Sequence, residues 1–482
     1  MKIPARVASR LSGLFLVACL VAAVLPTGLA TQTRSGQKAV YIPFADAKPV
    51  VTALAEILPA KLNGKSEAEI ASVWPRWVAE HDAEIRARLA QGDEDSIVNF
   101  LLFGTSFTKQ PRVTLAELQK LNALQSDPIT NTIIASRIGD LVAAASIPGA
   151  NDRLMFARKI IIGKGMNLRT VKGKADAEKF LAASLRRVMS ENSGYARTIE
   201  AARLQGDATE EFAERSTLFR ARGLSSDTSL LPNYAIEESL KEMKSRGLLT
   251  PSSIRRVAVI GPGLDFTDKQ EGYDFYPQQT IQPFAVIDSL LRLGLATSRD
   301  VQVLTFDLSE RVNGHLLQAR IRAQRGQPYF IQLPRDETAG WNSGAISFWE
   351  HFGDQIGKPA PPLATPAVAG TLKSRAVRLP PSIIQKVAPV DTNIVLQRPE
   401  LAPAEKFDLV IATNILVYYD NFEQSLAMLN IERMLRPGGF LLSNNALLEL
   451  PFFRIHSVGY STVAYSARAD DGDHIVWYRL SP

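Results

Sequence analysis

The stretch EKFDLVIATNILVYYDNFEQSLAMLNIERMLRPGGFLLSNN, Glu405 to Asn445, decides the fold of this 482-residue chain. Phe407 to Ala412 is a short apolar run of strand length, and polar Thr413-Asn414 closes it. A helix follows Asp420, an Arg436-Pro437-Gly438-Gly439 turn breaks it, and Phe440 to Ser443 reads as another buried strand. Phe422, Leu426 and Leu429 line one side of that helix, while Met428, Ile431 and Leu435 fall nearly opposite. A helix apolar on two sides is covered on both, one face by a sheet and the other by the remaining half of the chain.

Outward from this unit, short β-branched runs alternate with helical segments from Thr250-Pro251-Ser252-Ser253 to the C-terminus, the pattern of an α/β sheet covered by helices. Val257 to Ile260 and Val301 to Phe306 read as further strands, and Thr462 to Ser466 with His474 to Arg479 as a closing antiparallel pair. Lys358-Pro359-Ala360-Pro361-Pro362, between Gly357 and Gly370, reads as an irregular excursion. The first strand runs into Gly261-Pro262-Gly263, whose glycines let backbone amides approach a ligand. The second ends in Asp307, a carboxylate able to accept both ribose hydroxyls of a nucleoside.

With these features in order, the chain resembles class I S-adenosylmethionine-dependent methyltransferases, closely over residues 387 to 445 and loosely over 255 to 480. Asn414-Ile415-Leu416-Val417-Tyr418-Tyr419-Asp420 is similar to an element of the chemotaxis-receptor (protein-glutamate) methyltransferases, and Asp391 with Thr392-Asn393-Ile394 stands where that group flanks the adenine. The resemblance implies a Rossmann-like, seven-stranded methyltransferase sheet over 251–482 and S-adenosyl-L-methionine as cofactor. It implies binding by Gly261, Pro262, Gly263, Asp307, Asp391, Asn393, Ile394 and Asn414, with Tyr418, Tyr419 and His315 as wall or base residues. The methyl acceptor, small molecule or protein, is not named by it. The sequence departs from the family in lacking a third glycine after Gly263, and in the 44 positions between Gly263 and Asp307 (307 minus 263), which an inserted loop from Thr267 to Gln282 accounts for.

Residues 31–250 form an all-helical N-terminal domain in this reading, with helices at Glu67 to Ala90 (broken or kinked at Pro75), Asn131 to Ala145, Ala175 to Met189 and Tyr234 to Arg246. Gly92-Asp93 punctuates them. The basic residues Arg158, Lys159, Lys164, Arg169, Lys172 and Lys174 read as a solvated face. Lys2, Arg6 and Arg10 precede an apolar run from Leu11 to Leu25, and small residues ending at Ala30 complete a signal peptide over 1–30. Export to a periplasmic or extracellular space is the expectation, with no permanent membrane span; a membrane anchor, or lipidation at Cys19, is the alternative. Cys19 is the only cysteine, and His81, His315, His351, His456 and His474 show no ligand spacing, so no metal site is expected. The net charge of +6 comes from 55 basic residues against 49 acidic ones, with no basic run interleaved with aromatics, so nucleic acid is not an expected partner.

Two competing readings stand beside the methyltransferase. A dehydrogenase-like Rossmann enzyme shares the glycine turn and the acidic strand end. An exported, non-catalytic protein retaining the fold would escape the difficulty that S-adenosylmethionine is made in the cytosol.

Overall fold

Alternation of side chains builds the centre of the molecule. In the strand Arg256–Ile260, Val257 and Val259 face one helix layer and Ala258 and Ile260 the other, and all four are buried. The computed structural model describes residues 38–114, 117–118, 128–205 (backbone alone for 192–205), 223–267, 272–444, 446–468 and 471–482. The signal-peptide reading therefore lies outside the described residues.

In chain order the N-terminal part contains β1 (Ala39–Tyr41), α1 (Phe44–Ala53), α2 (Glu67–Phe103), α3 (Pro128–Ser146), α4 (Asp152–Gly163), α5 (Val171–Gln205) and α6 (Leu231–Ser245). There follow β2 (Arg256–Ile260), α7 (Gln282–Arg292), β3 (Gln302–Asp307), α8 (Glu310–Gln324), β4 (Tyr329–Asp336), α9 (Ser343–His351), β5 (Lys358–Ala360) and β6 (Leu372–Leu379). The chain closes with α10 (Pro381–Ile384), β7 (Val387–Asp391), β8 (Gln397–Pro399), β9 (Phe407–Ala412), α11 (Asn421–Met434), β10 (Leu435–Ser443), β11 (Ile455–Ala464) and β12 (Gly472–Leu480).

Seven strands form one sheet in the order β11-β12-β10-β9-β2-β3-β7, in which β12 alone runs antiparallel to the other six. This is the Rossmann-like methyltransferase sheet, with an N-terminal helical region flanking it. The last two strands pair antiparallel at one edge, as expected. The expected irregular stretch is instead partly ordered: Lys358–Ala360 pairs with β6, which pairs with β4, in a separate three-stranded antiparallel sheet. Short, proline-bearing and half-exposed strands leave little alternation to read.

The helical half contributes to both layers that cover the sheet. Trp74, Trp77 and Ile85 of α2 share a core with Ile260, Phe306, Val410 and Leu441, and α6 packs on the opposite face with α7, α8 and α9. Trp77 meets Phe422 of α11 at 6.0 Å between ring centroids, so that helix is covered on both sides as its pattern requires. The chain from residue 37 to residue 482 is accordingly one compact unit, and its texture changes near residue 250 within that unit.

α2 runs unbroken through both Pro75 and Gly92, where interruptions were expected. Pro75 sits on the exposed side, where water can satisfy the carbonyl it leaves open, and the neighbouring Trp74 is pinned by its indole N–H to the Ile42 carbonyl at 2.9 Å. Gly92 lies inside the helix because residues 223–224 cross it there: a Cβ at Gly92 would stand 1.9 Å from the Leu224 carbonyl oxygen. Among the described residues no helix is long and apolar enough to cross a membrane.

Candidate functional site

Where β2 ends, the chain turns through Gly261-Pro262-Gly263. Both glycines have φ of +64, a conformation that L side chains rarely adopt, and the Gly261 N–H donates to the Phe306 carbonyl at 2.7 Å. The space that each missing Cβ leaves is used by the protein itself. A Cβ on Gly261 would stand 2.1 Å from Cδ1 of Ile415, and one on Gly263 would stand 3.0 Å from the Ser226 carbonyl oxygen. Residues 226–228 run along the turn, Leu264 N–H donating to Ser226 O at 2.8 Å and Thr228 N–H to Leu264 O at 2.9 Å.

Asp307 closes β3 beside this turn. Its Oδ1 accepts the Ser309 N–H at 2.8 Å, and the Gly263 N–H also donates to the carboxylate. Burial outweighs these bonds and the nearby Arg311 charge, and pushes the carboxyl up to about 6. Asp391 is its register partner on β7, but its side chain is mostly exposed and pairs with Arg86 of α2 at 2.8 Å.

Asn393 is fully buried with both ends of its amide engaged: Nδ2 donates to Asp82 Oδ1 at 2.7 Å and Oδ1 accepts the Val395 N–H at 3.2 Å. Asn414 has φ of +59, a left-handed conformation that asparagine tolerates better than most residues. Its N–H donates to Asn444 Oδ1 at 2.6 Å; Asn444 Nδ2 donates to Asp473 Oδ1 at 3.1 Å, and the Tyr465 hydroxyl donates to Asp473 Oδ2 at 2.5 Å. A polar chain thus links the end of β9 to the β11–β12 hairpin.

These strand ends surround one cavity of about 1240 Å³. Gly261, Gly263, Asp307, Ile394 and Asn414 line it, together with Tyr418 and Tyr419; Pro262, Asp391 and Asn393 do not. The cavity lies at the carboxyl ends of β2, β3 and β9, where the order of connection reverses and open α/β sheets bind ligands. It exceeds the ~300–1,000 Å³ of common small-molecule sites, leaving room for two ligands side by side. Burial pushes the Tyr419 hydroxyl well above its ordinary range.

His315 does not belong to this group. Its Nε2 meets the Tyr329 hydroxyl at 2.7 Å away from the cavity, and burial pushes the imidazole down to about 4, so it is neutral near pH 7. The wall or base role expected for it is therefore corrected to a packing role. The sequence placed Thr392 in the adenine-flanking stretch but not among the binding residues, and its Oγ1 is buried at the cavity with no hydrogen-bond partner among the described residues; the Asn444, Tyr465 and Asp473 relay was missed altogether. For Thr392 the signal was its position inside the quoted motif; the relay joins residues on separate strands and left none. Among the described residues no cluster of three His, Cys, Asp or Glu side chains could hold a metal ion.

No protein-family model and no curated protein matches the chain. Among solved structures, it is similar to the N-methyltransferase NodS of Bradyrhizobium japonicum, at 13% identity over 52% of this chain and 96% of that one, with a TM-score of 0.26. It is also similar to magnesium protoporphyrin IX methyltransferase of Synechocystis, at 12% identity over 52% of this chain and 80% of that one (TM-score 0.24). A TehB-like methyltransferase of Corynebacterium glutamicum aligns at 10% identity over 53% of this chain and 90% of that one (TM-score 0.23). The assignment to the Rossmann-like methyltransferase fold rests on the strand order and direction of the sheet.

Proposed function

We propose that the cavity binds S-adenosylmethionine and that the protein transfers its methyl group to an acceptor held beside it. The observation that carries this reading is the convergence of the Gly261-Pro262-Gly263 turn, Asp307 and left-handed Asn414 at neighbouring strand ends around one cavity. When bound, the cofactor supplies a methyl group already activated on a sulfonium, so neither a metal nor a covalent nucleophile is needed. The chain's own work is alignment. Asp307 accepts the ribose hydroxyls, the glycine turn holds the methionine portion, Thr392 and Ile394 border the adenine, and Asn414 stands by the methyl group. The donor set fits: a carboxylate that burial makes costly to ionise, and a threonine hydroxyl with no partner among the described residues, both gain from a ligand carrying hydroxyl and amine groups. Asn393 serves by fixing this end of the sheet to α2 through Asp82.

The likeness of Asn414 to Asp420 to the chemotaxis-receptor enzymes supports the placement of Asn414 and carries no substrate with it. Export by the N-terminal segment belongs to the same proposal; N-terminal sequencing of the fractionated protein tests it, and intact Met1 in the cytosol would refute it. A second reading, a non-catalytic protein on the same fold, is favoured by Ile415 and residues 226–228 filling the space at the glycine turn. Incubation with methyl-labelled S-adenosylmethionine and a panel of amine, hydroxyl and carboxyl acceptors separates the two. Label in an acceptor supports transfer, whereas binding with no labelled product from any acceptor class leaves the non-catalytic reading.

A further inference from the structure

From Arg153 to Ala175 the chain carries Arg153, Arg158, Lys159, Lys164, Arg169, Lys172 and Lys174, and no acidic residue. Arg153 is buried, but Lys159, Lys164, Arg169, Lys172 and Lys174 are exposed. Lys164 pairs with Glu94, while Arg169, Lys172 and Lys174 make no ion pair among the described residues.

Large apolar side chains are exposed among these cations. On α4, Met155, Lys159 and Ile162 form an outward stripe at i, i+4 and i+7, opposite the buried Leu154, Ala157 and Ile161. Ile147, in the turn before α4, is 85% exposed, and Val171, which opens α5, is 89% exposed. The turns are tied together: Arg158 Nη1 donates to the Ser146 carbonyl at 2.5 Å and Ser146 Oγ to the Leu168 carbonyl at 3.4 Å. A small hollow of about 330 Å³ between them is lined by Arg158, Ile162 and Arg169.

Scattered exposed hydrophobics are ordinary, but four of them on α4 and the turns beside it, close in sequence to Arg169, Lys172 and Lys174, which make no ion pair among the described residues, give the two signals that stable surface association with a membrane requires. Duplex and single-stranded nucleic acids would satisfy the charges but not the aliphatic groups, which offer no flat surface for base stacking. We infer that the α4 face, with the turns at Ile147 and Val171, is a docking surface for an anionic phospholipid bilayer, the aliphatic side chains entering the acyl boundary and the lysines and arginine meeting lipid phosphates. This inference is independent of the chemistry assigned to the cavity.

The test uses the full chain with Cys19→Ser and Val171→Cys, labelled at position 171 with an environment-sensitive fluorophore, so the signal is local to this face and blind to the Leu11 to Leu25 run. Vesicles are of phosphatidylcholine alone or with about one-third phosphatidylglycerol. A blue shift is expected with the anionic vesicles only, reversed by about 0.5 M salt, and its half-saturation should move to roughly a hundredfold more lipid when Arg169, Lys172 and Lys174 are all replaced by Gln. No shift with anionic vesicles, or a shift unchanged in the triple variant, would overturn the inference. A shift produced by duplex DNA and not by vesicles would overturn it in favour of a nucleic-acid surface.

Discussion

Asp307→Asn separates a ligand-binding carboxylate from a structural one. The residue is 8% exposed, its carboxylate accepts the Ser309 N–H at 2.8 Å, and burial pushes the carboxyl up from 3.8 to about 6. An acid whose folded pKa is raised favours the fold while protonated, and that advantage is lost as pH rises from the unfolded value through the folded one. The shift corresponds to about 3 kcal/mol against the ionised form at neutral pH. The amide is isosteric, keeps an oxygen for Ser309 and carries no charge to desolvate. The gain in stability of the variant over the wild type should therefore rise from roughly 1.5 kcal/mol at pH 5 toward roughly 3 kcal/mol at pH 7.5, less about 1 kcal/mol at either pH for the Gly263 N–H bond to the carboxylate. Binding should move the other way. Loss of charge-assisted bonds to the ribose costs about 1.5 to 3 kcal/mol, a 10- to 150-fold weaker affinity for S-adenosylmethionine. Wild-type affinity should also fall as pH drops below about 6, while that of the variant stays flat. Calorimetric titration and urea unfolding at both pH values measure the two effects. Unchanged affinity with a lowered unfolding midpoint would refute the ribose role and leave Asp307 as a turn-fixing residue.

Other expectations concern the frame around the site. His81 joins α2 to α11, its Nε2 at 2.9 Å from Glu423 and its Nδ1 at 3.1 Å from Glu84; burial opposes its charge, but the two carboxylates outweigh burial and raise its pKa. The stability it contributes is fully present below about pH 6.5 and lost as pH rises through the raised folded value, so the deficit of His81→Gln, about 1 to 2 kcal/mol by urea unfolding at pH 6, should shrink at pH 9. Gly92→Ala gains up to ~1 kcal/mol of helix propensity, yet its Cβ would meet the Leu224 backbone; a net loss of about 1 to 3 kcal/mol should show as a lower thermal midpoint. Arg153→Met removes a buried guanidinium that donates to the carbonyls of Asp265, Phe266, Tyr273 and Tyr276; hydrogen exchange should accelerate over 264–267 and 272–279, with a stability loss of about 3 kcal/mol or more.

The sheet was legible because buried parallel strands must be apolar on both faces, and the runs at 257–260, 301–306 and 407–412 have little else in them. The double-sided helix after Asp420 likewise announced its two neighbours, which are the sheet and Trp77. The small β4-β6-β5 sheet was not legible, since Pro334 and Pro359 interrupt two of its strands and the buried positions of β4 include polar Gln332 and Arg335. Within the site, residue type and strand-end position located Gly261, Asp307 and Asn414. They could not reveal that Asn393 is taken by Asp82, 311 residues away, that Ile415 and residues 226–228 fill the space at the glycines, or that His315 turns toward Tyr329. Each of these depends on a long-range packing partner that no local pattern encodes.

Calorimetric titration of the chain with S-adenosylmethionine, S-adenosylhomocysteine and NAD decides whether the cavity is an S-adenosylmethionine site. One-to-one binding of the first two is expected, with NAD at least about a hundredfold weaker. Tighter binding of NAD, or saturation by none of the three, would contradict it.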